Sequence, residues 1–174
     1  MHPVQGGAGA GARRRERLAR LTAAVRPDLW GAALLAATAD QLSKAAVLSH
    51  LDFGTSVWVL PPVLRITLWR NTGIAFGLLS GANELVSLLA LLAAVWLVVH
   101  HRDRWGASAL VRVGVGMVLG GAAGNLLDRL RYGYVVDFLE LPYWPIFNVA
   151  DVCIVVGGVL LVLGGFKASR PPHL

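Results

Sequence analysis

The chain is poor in several things a soluble enzyme uses. It has a single cysteine, Cys153, in 174 residues, so it cannot close a disulfide on itself. No H-E-x-x-H and no cysteine pair appears, which leaves metal chemistry without its usual ligand spacings. No G-x-S-x-G elbow and no Walker-type loop appears, which removes the common serine hydrolases and nucleotide sites. His50, His100 and His101 fall at the edges of apolar stretches, and Cys153 has no histidine near it in sequence. Charge is scarce as well: Asp, Glu, Lys and Arg make up 15 % of the chain, against 56 % hydrophobic residues. A disordered chain needs the reverse balance, and soluble domains average about 25 % charged residues. With a mean hydropathy of +0.61, what remains is a small polytopic membrane protein.

The apolar residues fall into four runs, which predict membrane-spanning helices over about 29–48, 84–101, 107–127 and 149–166. Each is near the roughly 20 helical residues that a hydrocarbon core about 30 Å thick requires. Residues 1–26 form a basic tail and 168–174 a short second tail, so the folded domain is expected over 27–167. Loops 49–83 and 128–148 lie on one side. Ten cations (Arg13, Arg14, Arg15, Arg17, Arg20, Arg26, Arg102, Arg104, Lys167 and Arg170) flank the spans on the other side, against Arg65, Arg70, Arg129 and Arg131 in the two loops. The positive-inside rule then puts both termini in the cytoplasm and both loops outside. The same placement assigns the basic tail to topology and anionic lipid, with no nucleic acid as partner. Trp30, Trp105 and Trp144 stand near the expected interfaces. Ala37-Thr38-Ala39 resembles a signal-peptide cleavage site, but three further spans and resumed apolar sequence argue against processing there.

Within the outer loops, Val63 to Arg70 alternates in the manner of a strand and ends at the turn signal Asn71-Thr72-Gly73. Tyr134-Val135-Val136 is also strand-like. The third span is rich in glycine, and Gly116 and Gly120 form a G-x-x-x-G pair suited to close helix packing.

The polar residues inside these runs need a reason, because an ionisable group at mid-membrane costs about 2.5–3.5 kcal/mol on insertion scales. Asp40 and Lys44 are four apart and share a helix face. They fit a structural ion pair at least as well as a direct chemical role. Asn125 lies three and four residues before Asp128 and Arg129, which reads as a positioning network. Asp137 lies in the second outer loop, and Asp151 opens the fourth span three residues after Asn148. Taken singly, each aspartate fits a helix cap or an interface. Taken together, they could share one proton at the outer rim, leaving one acid and one base near neutral pH. Such a pair can hydrolyse an amide by activating water and polarising the carbonyl. A different class also fits the buried charges: a small transporter or assembly factor with a proton or ion path.

The same residues resemble the lipoprotein signal peptidases, or signal peptidase II. Asp40-Gln41-Leu42-Ser43-Lys44 looks like that family's D-x-x-x-K, and Asn71-Thr72-Gly73-Ile74-Ala75-Phe76-Gly77 like its N-x-G-x-A-F-G. Gly121 to Arg129 resembles G-x-x-G-N-x-x-D-R, Gly133 to Phe138 resembles G-x-V-x-D-F, and Phe147 to Asp151 resembles F-N-x-A-D. Five blocks in order cover 40–151. The resemblance implies an all-α membrane protein of four transmembrane helices with a small extracytoplasmic β-cradle. It implies Asp137 and Asp151 as catalytic aspartates, supported by Asp40, Lys44, Asn71, Gly73, Asn125, Asp128, Arg129 and Asn148. It implies a diacylglyceryl prolipoprotein as substrate, cleaved before the lipidated cysteine, with no metal or organic cofactor. The expected setting is the bacterial cytoplasmic membrane, with the site on the extracytoplasmic side and the protein a monomer. Gly73 and Gly77 would let the loop between them move over the substrate.

Overall fold

The computed structural model describes residues 26–72 and 108–168. The expected second span at 84–101, both tails beyond these limits, and Gly73, Gly77 and Trp105 lie outside the described residues. Six elements are seen: α1 (Pro27–Leu48), β1 (Ser56–Leu60), β2 (Leu64–Asn71), α2 (Ala109–Tyr132), β3 (Val135–Glu140) and α3 (Val149–Ala168).

Local chemistry sets the helix ends. Pro27 stands in the first turn of α1, where its missing N–H costs nothing. Helix α2 runs five residues past the expected end at 127. Apolarity ends there, but the backbone does not break until Gly133, which adopts φ 77° and donates its N–H to the Arg129 carbonyl. Arg129 and Arg131 lie in that last turn and suit its negative end. Helix α3 starts with a reciprocal cap: Asp151 N–H donates to Asn148 Oδ1 at 3.0 Å, and Asn148 N–H donates to Asp151 Oδ2 at 3.2 Å.

Helix α2 packs between α1 and α3, and glycine makes the approach possible. A Cβ on Gly116 or Gly120 would overlap the carbonyl oxygens of Leu29 and Ala33 on α1. The G-x-x-x-G pair read from sequence therefore forms the α1 contact. On the other side of α2, Gly114 and Gly121 meet the α3 backbone at Gly157 and Ala150. Gly124 faces the Asp40 carboxylate, where a methyl group would strike its Oδ2. Leu29, Val115, Val118 and Leu161 fill the apolar part of the interior.

Polarity is otherwise inverted. Asp40, Lys44, Asn125, Asp128, Asp137 and Asn148 are buried, whereas Leu34, Leu35, Leu42, Val155, Val159 and Val162 are exposed. Water would favour the opposite distribution, and lipid favours this one. Among the described residues α2 is the one helix that is long and apolar enough to cross a membrane by length and composition; Val149–Gly164 is a shorter apolar helix.

The strands form one antiparallel sheet in the order β1-β2-β3. Both strand expectations are met, with β2 beginning at Leu64 and β3 continuing to Glu140. Trp69 pairs with Asp137, and Asn71 with Val135. Phe147 then bonds back to β3, its N–H to the Leu139 carbonyl and its carbonyl to the N–H groups of Phe138 and Leu139. That return places Asn148 beside Asp137. At the far end of the bundle, Arg112 of α2 holds Asp28 of α1 at 2.5 Å.

The packing makes a graded prediction. Gly120→Val is expected to destabilise the protein by about 1–3 kcal/mol or more, because the obstructing atoms are backbone. Gly31→Ala, which meets nothing within 4 Å, is expected to leave stability unchanged or raise it by about 0.5–1 kcal/mol. Thermal denaturation in detergent would separate the two; an unchanged midpoint for Gly120→Val would contradict the packing.

Candidate active site

The buried polar residues converge at the end of the bundle where the sheet joins it. Lys44 of α1 is at the centre. Its ammonium lies 2.8 Å from Asp40 Oδ2, 2.8 Å from Asp128 Oδ2 and 3.0 Å from Asn125 Oδ1. All three donors of the ammonium thus have an acceptor. Asp40 and Lys44 were expected to pair across one helical turn. Asp128 on α2 completes the arrangement, which sequence spacing could not connect to α1.

Each carboxylate around Lys44 also holds a backbone N–H. Asp40 Oδ1 accepts from Ala150 at 2.9 Å, and Asp128 Oδ2 accepts from Val136 at 3.0 Å. Ala150 directly precedes Asp151, and Val136 directly precedes Asp137. One lysine and two carboxylates therefore tie down the chain immediately before both candidate catalytic aspartates.

The asparagines complete the arrangement. Asn148 Nδ2 donates to Asp137 Oδ1 at 2.7 Å and reaches Asn125 Oδ1 at 3.0 Å, while its own Oδ1 accepts from the Asp151 N–H. Asn125 Nδ2 donates to Asp151 Oδ1 at 2.9 Å. Asn71 Nδ2, from β2, donates to Asp137 Oδ2 at 2.9 Å. Asn148 thus bonds both aspartate residues, and Asp137 and Asp151 belong to one connected cluster.

Asp137 is buried on β3, and its pKa is pushed from 3.8 up to about 7. Burial is the main cause, and the negative charge of Asp151 adds to it. The bonds from Asn71 and Asn148 and the charge of Lys44 oppose the rise without cancelling it. A carboxyl that is half protonated near neutral pH beside a second aspartate can serve acid–base chemistry.

Of the other expected residues, Arg129 is exposed on the last turn of α2, in contrast to the buried cluster. Gln41 belongs to the network and was not singled out from sequence. Its Nε2 donates to Asp128 Oδ1 at 2.9 Å and reaches Asp40 Oδ2 and the Gly124 carbonyl at 3.2 Å, and its Oε1 accepts from Arg131 at 3.0 Å. The signal was present: an amide in an apolar helix carries a desolvation cost that a partner must offset. Among the described residues, no three of His, Cys, Asp and Glu are placed to hold a metal ion.

Comparison with known proteins gives a consistent result. The family model for signal peptidase (SPase) II matches residues 32–167. A lipoprotein signal peptidase from Syntrophomonas wolfei is 42 % identical over 134 residues, covering 77 % of this chain and 89 % of the relative. One from Pelotomaculum thermopropionicum is 46 % identical over 123 residues, covering 70 % and 80 %. A solved bacterial membrane enzyme superposes with a TM-score of 0.65 at 27 % identity, covering 86 % of this chain and 96 % of its own. With a match across α1, the sheet, α2 and α3, the chain belongs to the signal peptidase II family, proteases of lipoprotein processing.

Proposed function

We propose that the protein is an aspartic endopeptidase of the bacterial cytoplasmic membrane that removes the signal peptide from diacylglyceryl prolipoproteins, cutting before the lipidated cysteine. The observation that carries this reading is the bonding of one asparagine, Asn148, to both Asp137 and Asp151, with Asp137 titrating near neutrality. The proposed topology has four spans, the second within 84–101, with both termini cytoplasmic and the sheet on the extracytoplasmic side. The enzyme acts as a monomer. The substrate is a membrane helix carrying lipid, and each buried CH₂ of that lipid contributes about 0.8 kcal/mol to its capture. A site at the rim of the bundle meets the lipidated residue and still admits water.

In the proposed reaction Asp137 carries the shared proton and Asp151 is the carboxylate. Asp151 takes a proton from water as the oxygen attacks the scissile carbonyl carbon. Asp137 gives its proton to the carbonyl oxygen, producing a neutral tetrahedral diol. Collapse of the diol returns a hydroxyl proton to Asp137, while Asp151 delivers its proton to the departing nitrogen as the C–N bond breaks. Both carboxyls end as they began, and no covalent enzyme intermediate forms. Lys44, Asp40, Asp128, Asn125, Asn148 and Asn71 position the pair, and Gly73 belongs to the same proposal through its motif.

Asp137→Asn and Asp151→Asn are each expected to lower cleavage of a lipidated prolipoprotein by about 10²–10⁴-fold, the usual range for an acid–base group, while the protein stays folded and inserted. Purified protein in detergent with lipidated substrate tests this; full cleavage by either variant would reject the mechanism.

The pH dependence has a definite sign. The folded-state pKa of Asp137, about 7, exceeds its unfolded value near 3.8, so the native state binds more protons between them. Stability should therefore fall as pH rises through that window, and turnover should fall as Asp137 loses its proton above about 7. Asp137→Asn should flatten the stability slope. Unfolding midpoints at pH 5 and 8 would show it, and equal slopes in the two proteins would contradict the assignment.

A further inference from the structure

Strand β1 and the turn that follows it present an apolar surface. Every residue of β1 is exposed, and Val57, Trp58, Val59 and Leu60 are each 50–59 % accessible. Side chains alternate across a strand, so both faces of β1 are open and both are apolar. Among the described residues β1 is a terminal strand of the sheet, with its outer edge unpaired. Ser56 to Leu64 (SVWVLPPVL) contains no charged residue. Soluble proteins guard such edges with charge, because a bare apolar edge aggregates.

What surrounds the hairpin argues for lipid. The sheet lies at one end of the bundle, because α1 leads into β1, α2 into β3, and α3 begins after β3. Exposed aromatics stand at that same end: Trp58 on the hairpin, Trp69 at the other end of β2 opposite Asp137, Tyr132 at the end of α2, and Tyr143 and Trp144 before α3, while Trp30 is exposed near the start of α1. Tyrosine and tryptophan collect where a bilayer meets water. The exposed apolar face of α2 continues to this level through Leu126 and Leu130. Arg65, next after the uncharged ribbon, does not project a bare charge. Its guanidinium is paired to Glu140, and it lies 5.5 Å from the centre of the Trp58 ring. Glu140 is held below the usual carboxylate range chiefly by that bond, so the pair stays ionised.

We propose that Val57 to Val63 is a lipid-inserting finger, seated in the interfacial layer of the extracytoplasmic leaflet, which fixes the depth of the sheet that carries Asp137. The partner is the bilayer itself, meeting apolar side chains on both faces of the finger. Asp137 lies on β3, joined through β2 to the finger, so insertion sets its height against the glyceryl region of a lipidated substrate. The inference rests on the membrane placement proposed above and adds a second contact with the bilayer, made by the sheet.

The test reads depth without requiring cleavage. In full-length protein with Cys153→Ala, single cysteines at Val59 and Leu60, and a control at Asp52 in the preceding turn, take a nitroxide label. The proteins are reconstituted in phosphatidylethanolamine/phosphatidylglycerol vesicles. Labels at 59 and 60 should collide several-fold more with oxygen, relative to a water-soluble nickel chelate, than the label at 52. Equal chelate access at all three positions would overturn the proposal in favour of a water-exposed hairpin. Dipolar broadening at high lipid-to-protein ratio would overturn it in favour of contact between two copies. A second measurement is Val59→Asp with Leu60→Asp: KM for lipidated substrate should rise in vesicles, with the pH profile of kcat unchanged. An unchanged KM would remove the depth-setting role. If Asp137→Asn proved fully active while the labels read lipid, the peptidase mechanism would fail and the finger would stand.

Discussion

A single buried ammonium organises the site. Lys44 is 2 % exposed, and moving an isolated charge to such a place costs several kcal/mol. That cost is offset only because Asp40, Asp128 and Asn125 use all three of its donors. The same two carboxylates, themselves almost inaccessible, reach past the lysine to the amides of Ala150 and Val136. Three secondary-structure elements from distant parts of the chain are thereby joined to α1. A buried ion cluster is often neutral for stability when compared with an apolar core. Its value here is geometric: it defines where α3 and β3 begin relative to each other, and hence where Asp151 and Asp137 lie.

The bundle serves this cluster by close approach. Small residues bring the helix backbones near enough for short side chains to span between them. Asn125 on α2 can touch Lys44 on α1 and Asp151 on α3 because Gly120, Gly121 and Gly124 leave no bulk in the way. The capping box at the start of α3 does double duty: the bonds that satisfy the first free amides of the helix also hold Asn148 with its amide against Asp137. Among the described residues the outer faces of the helices are, by contrast, largely aliphatic, with exposed aromatics at the sheet end and Trp30 near the start of α1.

Much of this was legible in the chain. Polar residues in apolar runs are costly enough to stand out, so Asp40, Lys44, Asn125 and Asp151 could each be marked as requiring a partner, with Asp128 and Asn148 at the run ends; Asp137, in an outer loop, stood out only as a pair with Asp151 and through the family motif. Strand alternation marked β2, and the glycine spacing marked the face of α2 that meets α1. Pairing across elements was a different matter. Nothing in a spacing of 84 residues shows that Lys44 bonds Asp128, because that contact depends on helix packing. The clamps on Ala150 and Val136 have no side-chain signature, since backbone amides are the same at every position. Gln41 was overlooked because an uncharged amide looks innocuous beside two ions. The end of α2 was placed too early because apolarity tracks the membrane, whereas a left-handed glycine ends a helix.

Gly124 shows how far such a design reaches. The hydrogen atom that stands in place of its side chain leaves a recess, and the Asp40 carboxylate occupies it. That carboxylate grips the amide next to Asp151. Mutational tolerance in this protein therefore cannot be judged by distance from the acidic pair: a buried residue with no functional group is tied to the position of Asp151 by the volume it declines to fill.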